Sequence, residues 1–352
     1  MSTGYEHDVT LAPYTTLRLG GPADHFLTAE TDANLIAAIR DVEGHSDDLL
    51  VLGGGSNVVI ADEGYRGTVV RIATAGVTFQ DGLLSVAAGV SWDDAVAQAV
   101  DEGLSGVECL SGIPGLAGAT PIQNVGAYGQ DVSQTIVMVD AYDRVTKQMV
   151  LLDNADCAFT YRHSVFKDAV HQGAGRYVVT RVHFQLTDSG GLSAPIRYKD
   201  VATALGLEIG ERAPLKSVRE AVLEQRRRRG MVLDEADHDT WSAGSFFTNP
   251  ILDAEAFAEF AARCETPPPH YPEPDGRIKV LAAWLIDQAG FAKGYGCGPV
   301  TLSTKHTLAV TNRGGATTAD LLRLAAHVRD GVADRFGIRL VPEPVLVGGL
   351  TW

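Results

Sequence analysis

Glycine is concentrated between residues 53 and 129, and the loops that it creates there constrain the fold of this 352-residue chain most strongly. The first loop consists of Gly53, Gly54, Gly55, Ser56 and Asn57, and it follows an apolar segment that predicts a buried strand over residues 49–52. Backbone without Cβ atoms can approach a phosphate closely and direct successive N–H groups at it. A tight turn between two strands explains the same residues, and for this loop alone it is the simpler interpretation.

The second glycine-rich segment covers residues 103–130, which is long for a connection inside a compact domain. Such loops are usually functional or disordered, and apolar residues spaced through this one argue against disorder. Its small residues, beside Gln and Asn, suit a long dinucleotide better than a single phosphate. No Rossmann fingerprint is present, because Val58 stands where the third glycine is required. The candidate cofactor contacts of this segment are Ser111, Gly112, Ile113, Pro114, Gly115, Gln123, Asn124, Gly126, Ala127 and Tyr128.

Charge and cysteine content limit the class of protein. The formal net charge is −15, which disfavours a general nucleic-acid or membrane-surface binder. The four cysteines are far apart and form no C-x-x-C motif, so we expect reduced thiols in a reducing compartment. The N-terminal residues do not read as a secretory signal, and no apolar run reaches the ~18–20 residues of a membrane span. We therefore expect a cytoplasmic protein with no membrane insertion.

Hydrophobic periodicity predicts alternating helices and strands. Helices are expected from Asp32, which could cap the first, from Ser91, and over 215–228, 254–263, 280–289 and 318–335. Strands are expected over 49–52, 68–72, 83–87, 136–142, 177–186, 245–247 and 307–311, with a final strand near 338–348 that Pro342 and Pro344 interrupt. A polar stretch over 190–215 indicates a domain boundary.

For three residues the surrounding sequence leaves the functional role open. Arg162 is either a surface ion-pair partner or a fixed charge that stabilises a developing enolate or carboxylate. Glu343 lies between two prolines, so it is either an exposed tail residue or a rigidly presented carboxylate. Ser245 can serve as a general acid only toward a strongly basic acceptor in a dry site. No G-x-S-x-G surrounds Ser245, which argues against a nucleophile.

Seven motifs in a fixed order resemble those of the MurB family, the UDP-N-acetylenolpyruvoylglucosamine reductases of peptidoglycan synthesis. The segment Arg197-Tyr198-Lys199-Asp200 resembles the mobile, substrate-covering tyrosine loop of the type I subgroup. The resemblance runs from about residue 13 to residue 348. In chain order the motifs are Thr16-Leu17-Arg18-Leu19-Gly20-Gly21, the 53–57 loop, Ser111-Gly112-Ile113-Pro114-Gly115, Gln123-Asn124-Val125-Gly126-Ala127-Tyr128-Gly129, Tyr161-Arg162-His163-Ser164-Val165-Phe166-Lys167, Gly244-Ser245-Phe246-Phe247-Thr248-Asn249-Pro250 and Pro342-Glu343-Pro344.

The resemblance implies an α+β fold with an FAD-binding domain of the vanillyl-alcohol-oxidase (PCMH) type and a C-terminal α+β substrate-binding domain. On this interpretation residues 1–71, joined by the tail 338–352, form the first FAD-binding subdomain. Residues 72–205 form the second subdomain, and residues 206–337 form the substrate-binding domain. FAD would be bound non-covalently by Arg18 and the two glycine-rich loops.

The resemblance also implies a two-stage reaction. NADPH reduces the flavin and leaves, and UDP-N-acetylglucosamine enolpyruvate then accepts the hydride at its methylene carbon. Arg162 and Glu343 would stabilise the resulting enolate-like charge, Glu343 either protonated or through a water. Ser245 would donate the proton that completes UDP-N-acetylmuramate.

Further substrate contacts are implied at Tyr161, Tyr198, Arg229, Asn249 and Gln288. Arg229 stands where the family commonly has a lysine for the substrate phosphates, although most of the cluster Arg226–Arg229 reads as a solvated helix end. Gln288 on an otherwise apolar helix favours a polar task. We expect no metal, no nucleic-acid partner and a monomer. Two alternatives stay open: another FAD oxidase or dehydrogenase of the same fold, and a non-catalytic flavin or nucleotide-sugar binder.

Overall fold

A computed structural model of the chain describes residues 4–45 and 47–352. The strands, in chain order, are β1 (Glu6–Thr10), β2 (Pro22–Ala29), β3 (Leu49–Leu52), β4 (Val58–Ile60), β5 (Tyr65–Ile72), β6 (Val77–Gln80), β7 (Leu83–Ala87), β8 (Leu104–Ser105), β9 (Gly126–Ala127), β10 (Gln130–Asp131), β11 (Ile136–Asp143), β12 (Gln148–Asp153), β13 (Val170–His171), β14 (Ala174–Gly175), β15 (Tyr177–Gln185), β16 (Thr187–Asp188), β17 (Ile251–Leu252), β18 (His270–Pro272), β19 (Ile278–Val280), β20 (Gly296–Cys297), β21 (Val300–Leu302), β22 (Val310–Asn312) and β23 (Val345–Val347).

The helices are α1 (Asp32–Gly44), α2 (Trp92–Asp101), α3 (Val165–Asp168), α4 (Lys199–Leu205), α5 (Leu215–Arg228), α6 (Ala254–Ala262), α7 (Ala282–Gln288) and α8 (Thr318–Phe336). Short 3-10 turns cover Ala12–Tyr14, Glu108–Leu110, Ala117–Ala119, Val132–Gln134 and His238–Thr240.

The chain divides into two compact units, each built from separate stretches of sequence. Unit 1 contains Met1–Val9, Ala23–Gly54 and Arg66–Val232, and unit 2 contains Thr10–Pro22, Gly55–Tyr65 and Leu233–Trp352. Residues 206–232, which the sequence interpretation assigns to the substrate-binding domain, cluster with unit 1. Strand β23, in the tail, pairs in parallel with β4.

Unit 1 is built on two sheets that share one core. The first has strand order β1-β2-β5-β3, and the second has order β12-β11-β15-β7-β6. Helix α1 buries Leu35, Ala38, Ile39 and Val42, a spacing that puts all four on one helix face. The side chain of Thr31 caps this helix by accepting from the N–H of Asn34, so the expectation that Asp32 is the cap is wrong.

Helices α4 and α5 add a smaller core to unit 1. Val201 of α4 and Val218 and Val222 of α5 are fully buried, and they pack with Cys109 and Tyr128 of the long glycine-rich segment. The predicted helix over 215–228 is thus confirmed. Its apolar face explains why it clusters with unit 1.

Unit 2 packs α8 against α7 and the small sheet β20-β21-β22, and a second small sheet, β17-β19-β18, adds Val280 to the same core. Helix α8 begins with a capping box between Thr317 and Asp320 and ends at Gly337, whose φ of 74° is left-handed. The prediction of a strand over 245–247 is wrong. Phe247 forms only an isolated bridge with Pro342, because the two prolines around Glu343 lack the N–H groups that would extend a ladder. The strand predicted over 307–311 corresponds to β22, which begins three residues later, at Val310, and ends one residue later, at Asn312.

Candidate functional site

The two glycine-rich loops approach each other closely within unit 1. A Cβ atom on Gly54 would lie 2.8 Å from the Cα of Gly115, whereas one on Gly53 would lie 3.8 Å from the Leu116 side chain. The N–H of Trp92, at the start of α2, donates to the carbonyl of Gly115 at 3.0 Å. Two stretches of backbone without side chains are thus fixed side by side, which is what a pyrophosphate requires. The loops fit the FAD that the sequence motifs imply.

One backbone N–H group in these loops, predicted to bind the cofactor, already donates a hydrogen bond to another residue of the protein. The N–H of Gly112 donates to Oδ1 of Asp93 at 2.6 Å, and Arg219 of α5 holds the same carboxylate with both Nη atoms, at 2.6 and 2.9 Å. Partial burial would raise the pKa of Asp93, but the hydrogen bonds from Arg219 and Gly112 outweigh burial and hold it below its ordinary value. Asp93 and Arg219 therefore anchor the 111–115 loop.

Sequence reasoning missed this pair. Asp93 and Arg219 are 126 residues apart. The pattern that begins at Ser91 predicts a helix start, which is confirmed by the bond from the Asp94 N–H to the Ser91 hydroxyl. A helix-start pattern carries no information about which distant cation will meet an acidic residue of the first turn.

Arg162 lies at the tip of a short hairpin in unit 1. Thr160 and His163 exchange both backbone hydrogen bonds, at 3.0 and 3.3 Å, and Arg162 has a left-handed φ of 55°. Its guanidinium donates to the carbonyl of Gly126 at 3.2 Å and lies 5.5 Å from the centre of the Tyr161 ring. A non-glycine residue in this conformation has to be held by its surroundings.

Arg229 is also in unit 1, just beyond the last residue of α5. It forms an ion pair with Asp200 at 2.5 Å, and its guanidinium lies 5.8 Å from the centre of the Tyr128 ring. Tyr198 meets the same ring edge-on at 5.2 Å. The structure thus brings together Tyr198 and Arg229, both predicted to contact substrate, with Tyr128, predicted to contact FAD. Arg227 and Arg228 are exposed, as a solvated helix end requires.

Unit 2 holds the segments of Ser245 and Glu343 next to each other. The N–H of Glu343 donates to the carbonyl of Phe246 at 2.9 Å, and the N–H of Phe246 donates to the carbonyl of Leu308 at 2.7 Å. Nδ2 of Asn57 lies 3.4 Å from the carbonyl of Glu343, and the N–H of Val345 donates to the carbonyl of Asn57 at 3.0 Å. The backbones on both sides of Glu343 are therefore fixed.

The 53–57 loop spans the division between the units. Gly53 and Gly54 belong to unit 1, whereas Gly55, Ser56 and Asn57 belong to unit 2. Gly55 has a φ of 62°, and a Cβ there would lie 1.9 Å from the carbonyl oxygen of Tyr14. This position requires glycine for its own backbone, whatever the loop binds.

Arg18 shares the left-handed conformation of Arg162, with a φ of 54°. Its guanidinium donates to the carbonyl of Pro13 at 2.8 Å and to the carboxylate of Glu235 at 2.9 Å. Arg18 and Trp241 are among the residues that line an open cavity of about 450 Å³ within unit 2. The role of Arg18 toward FAD stays a prediction.

Two predicted substrate residues lie at opposite ends of α7. Oδ1 of Asn249 accepts from the N–H of Ala282 at 2.9 Å, so Asn249 supports the start of this helix. Gln288 is the last residue of α7 and is exposed. The argument that a core glutamine needs a polar task is therefore wrong, because Gln288 is not in the core.

The structure contains no helix among the described residues that is long and apolar enough to cross a bilayer. Across residues 4–45 and 47–352, no group of three or more His, Cys, Asp or Glu side chains is arranged to hold a metal ion.

Comparison with known families defines the class of protein first. The family model described as "FAD binding domain" matches residues 23–148, and that described as "UDP-N-acetylenolpyruvoylglucosamine reductase, C-terminal domain" matches residues 235–347. The chain is an FAD-dependent oxidoreductase with an FAD-binding domain and a mixed α+β structure.

Comparison with individual proteins defines the family. UDP-N-acetylenolpyruvoylglucosamine reductase from Streptomyces coelicolor is 59% identical over 348 residues, which cover 97% of this chain and 90% of the relative. The same enzyme from Thermobifida fusca is 57% identical over 359 residues, 99% of each chain. The crystal structure of this reductase (MurB) from Thermus caldophilus matches with a TM-score of 0.66 and 26% identity, covering 98% of this chain and 99% of that one. The chain belongs to the UDP-N-acetylenolpyruvoylglucosamine reductase (MurB) family.

Proposed function

We propose that this chain reduces UDP-N-acetylglucosamine enolpyruvate to UDP-N-acetylmuramate with NADPH, the reductase step of peptidoglycan precursor synthesis, and that Arg162, Ser245 and Glu343 carry the chemistry on the substrate. Membership of the reductase family supports the reaction. Bound FAD supplies the hydride chemistry between NADPH and the enolpyruvyl group. The residues of the chain position the substrate, stabilise charge and deliver a proton.

Ser245 and Glu343 are assigned together. The observation that carries this assignment is the hydrogen bond from the N–H of Glu343 to the carbonyl of Phe246, the residue next to Ser245. Both side chains are half-buried, and both backbones are tied to neighbouring segments. Because the two backbones are fixed on neighbouring segments, a hydroxyl and a carboxyl group carried on them are suited to protonating a carbanion as it forms, with little reorganisation.

Arg162 supplies the permanent positive charge. The planar fork of its guanidinium matches a carboxylate. Its strained backbone and its bond to Gly126 support a fixed orientation. In the proposed mechanism it binds the substrate carboxylate and stabilises the negative charge that develops beside it.

The FAD pyrophosphate is proposed to bind at Gly53, Gly54 and the 111–115 loop. The substrate phosphates are proposed to contact Arg229. The guanidinium of Arg229 already binds one anion, the carboxylate of Asp200. A phosphate would exchange for that carboxylate without a change in the sign of the local charge.

The Ser245→Ala variant tests the mechanism in two half-reactions. Under anaerobic conditions NADPH should bleach the flavin of this variant at the wild-type rate. Addition of the enolpyruvyl substrate should restore the yellow colour about 100-fold more slowly, as expected for loss of a general acid. Thr248→Ala is the matched control, because it removes a hydroxyl from the same segment, 3.5 Å from the carbonyl of Val341. Recovery of colour at the wild-type rate in Ser245→Ala would remove Ser245 from the mechanism.

A cytoplasmic location and a monomeric state are proposals of the same kind. All four cysteines are free thiols. Burial raises the pKa of Cys109 and of Cys157 to about 12, so both stay protonated and unreactive at neutral pH. Free thiols support a reducing compartment. Sedimentation velocity of the FAD-loaded protein tests the monomer, and a species of twice the mass would contradict it.

A further inference from the structure

Hydrogen bonds join the hairpin that carries Arg162 to the segment 122–126, which contains residues that the sequence predicts to bind FAD. Three contacts join the two segments. The hydroxyl of Ser164 donates to the carbonyl of Ile122 at 2.7 Å, Nδ2 of Asn124 donates to the carbonyl of Thr160 at 3.1 Å, and Arg162 donates to the carbonyl of Gly126 at 3.2 Å. Residues two apart on one segment thus hold residues two apart on the other. Together the three contacts fix where the tip of the hairpin lies.

Asn124 is the central contact, and its carboxamide is used by the protein at both ends. Oδ1 accepts from the N–H of Ser133 at 3.1 Å, while Nδ2 faces the carbonyl of Thr160. An N–H at one end and a carbonyl at the other leave a single orientation for the amide. The side chain is only 8% exposed, and the backbone of Asn124 is left-handed with a φ of 46°, a conformation that asparagine tolerates better than most residues.

Ser164 closes the other foot of the hairpin. Its side chain is completely buried, so the bond from its hydroxyl to the carbonyl of Ile122 has no competition from solvent. Arg162 itself stays in a sparsely populated backbone conformation, which persists only where neighbouring contacts determine it. Asn124 and Ser164 supply those contacts on either side of it.

We propose that Asn124 is a positioning residue for Arg162 rather than a ligand of FAD. The hydrogen bonds of its carboxamide fix the position of the hairpin and so place the guanidinium of Arg162 for charge stabilisation on the substrate. The inference rests on the proposed function of Arg162. Asn124 then acts on the step in which substrate accepts hydride and leaves the reduction of the flavin by NADPH unchanged.

Asn124→Asp is the most conservative test, carried out on the FAD-loaded protein. The aspartate keeps an acceptor for the N–H of Ser133 but presents an oxygen to the carbonyl of Thr160, which repels it. We expect FAD affinity and the rate of flavin bleaching by NADPH to stay within about twofold of wild type. Reoxidation by UDP-N-acetylglucosamine enolpyruvate should slow about 10- to 100-fold, the loss that a misplacement near 1 Å produces.

Two further variants keep the test decisive. Ser164→Ala releases the other foot of the hairpin and should give the same split between the two half-reactions. Gln185→Glu is the matched control, because Nε2 of Gln185 donates to the carbonyls of Asp81 and Leu186, both at 3.3 Å, away from the hairpin and from the partners of Asn124. It loses comparable bonds in the same unit and should retain the wild-type reoxidation rate.

The Arg162→Ala background separates the proposal from the function on which it rests. If Asn124 acts through Arg162, adding Asn124→Asp to Arg162→Ala leaves the reoxidation rate within about twofold of the single variant. A further drop as large as that in the wild-type background overturns the positioning role alone. Loss of FAD affinity with a wild-type reoxidation rate at saturating FAD makes Asn124 a flavin ligand instead. If Arg162→Ala by itself does not slow reoxidation, the proposed function of Arg162 fails and the positioning role fails with it.

Discussion

A methyl group on Gly54 would collide with the backbone of the 111–115 loop, and this makes Gly54→Ala a sharp test of how the glycine-rich loops are packed. The added Cβ would lie 2.8 Å from the Cα and 3.3 Å from the carbonyl carbon of Gly115. Ordinary van der Waals contact begins near 3.4 Å, so the loops would have to separate by about 0.6 Å. Neither partner is the movable end of a side chain.

The expected cost follows from comparable overpacking in protein cores, about 1–3 kcal/mol in the free energy of unfolding. In a unit of roughly 200 residues this lowers the melting temperature by about 2–4 °C for each kcal/mol. If the loops hold the FAD pyrophosphate, strain of about 1.4 kcal/mol that binding must overcome weakens FAD affinity about tenfold.

The neighbouring glycine provides the control. A Cβ on Gly53 would lie 3.8 Å from the side chain of Leu116, an ordinary contact, and neither Gly53 nor Gly54 has a left-handed φ. Both alanine variants restrict the unfolded chain equally, so the difference between them isolates the collision. Urea unfolding of the FAD-free variants measures that difference. Equal stability of Gly53→Ala and Gly54→Ala would refute the close packing of the two loops.

Three further predictions concern charge and packing. Asp93→Asn should cost about 1–2 kcal/mol at pH 7, allowing for screening of a carboxylate that is one-third exposed. Because the folded pKa of Asp93 lies below its ordinary value, this stabilisation is complete above the unfolded pKa of about 3.9 and is lost as the pH falls through the folded pKa, so acid titration of both proteins should bring their stabilities together. Asp200→Asn should lower the KM for the nucleotide substrate by up to about fivefold at unchanged kcat, because it releases Arg229 from an exposed ion pair; a higher KM would contradict this. Trp352→Ala should cost about 2 kcal/mol in thermal unfolding by removing an aromatic ring that lies 6.0 and 5.9 Å from the two phenylalanines after Ser245, whereas Trp352→Phe should keep most of that stability.

Helix boundaries could be predicted from the sequence because their causes are local. Apolar residues spaced three and four apart define α2, α5 and α8, and a capping hydroxyl marks the start of α2 and of α8, without reference to the rest of the chain. The segment around Ser245 could not be predicted in the same way. Its aromatic residues have strand character, but its bonds go singly to Leu308 and Glu343, and only tertiary structure shows that no ladder forms.

The same distinction between local and long-range causes applies to the candidate site. The motifs predict which residues carry the chemistry, because glycine loops, a proline-flanked glutamate and an arginine hairpin leave local traces in the sequence. The contacts that hold those residues in place have no such local signal in the sequence. The anchoring of Gly112 by Asp93, and the bond of Asn124 to Thr160, join residues brought together only by folding.

The parallel pairing of β4 with β23 has a consequence for synthesis on the ribosome. Val58–Ile60 leaves the exit tunnel early, but its partner Val345–Val347 is translated 345 − 58 = 287 residues later. At about 5–20 residues per second, the first strand waits roughly 15–60 s for its hydrogen-bonding partner. Throughout that interval a short apolar strand has an open edge in the crowded cell, which makes it a natural client segment for chaperones that bind nascent chains.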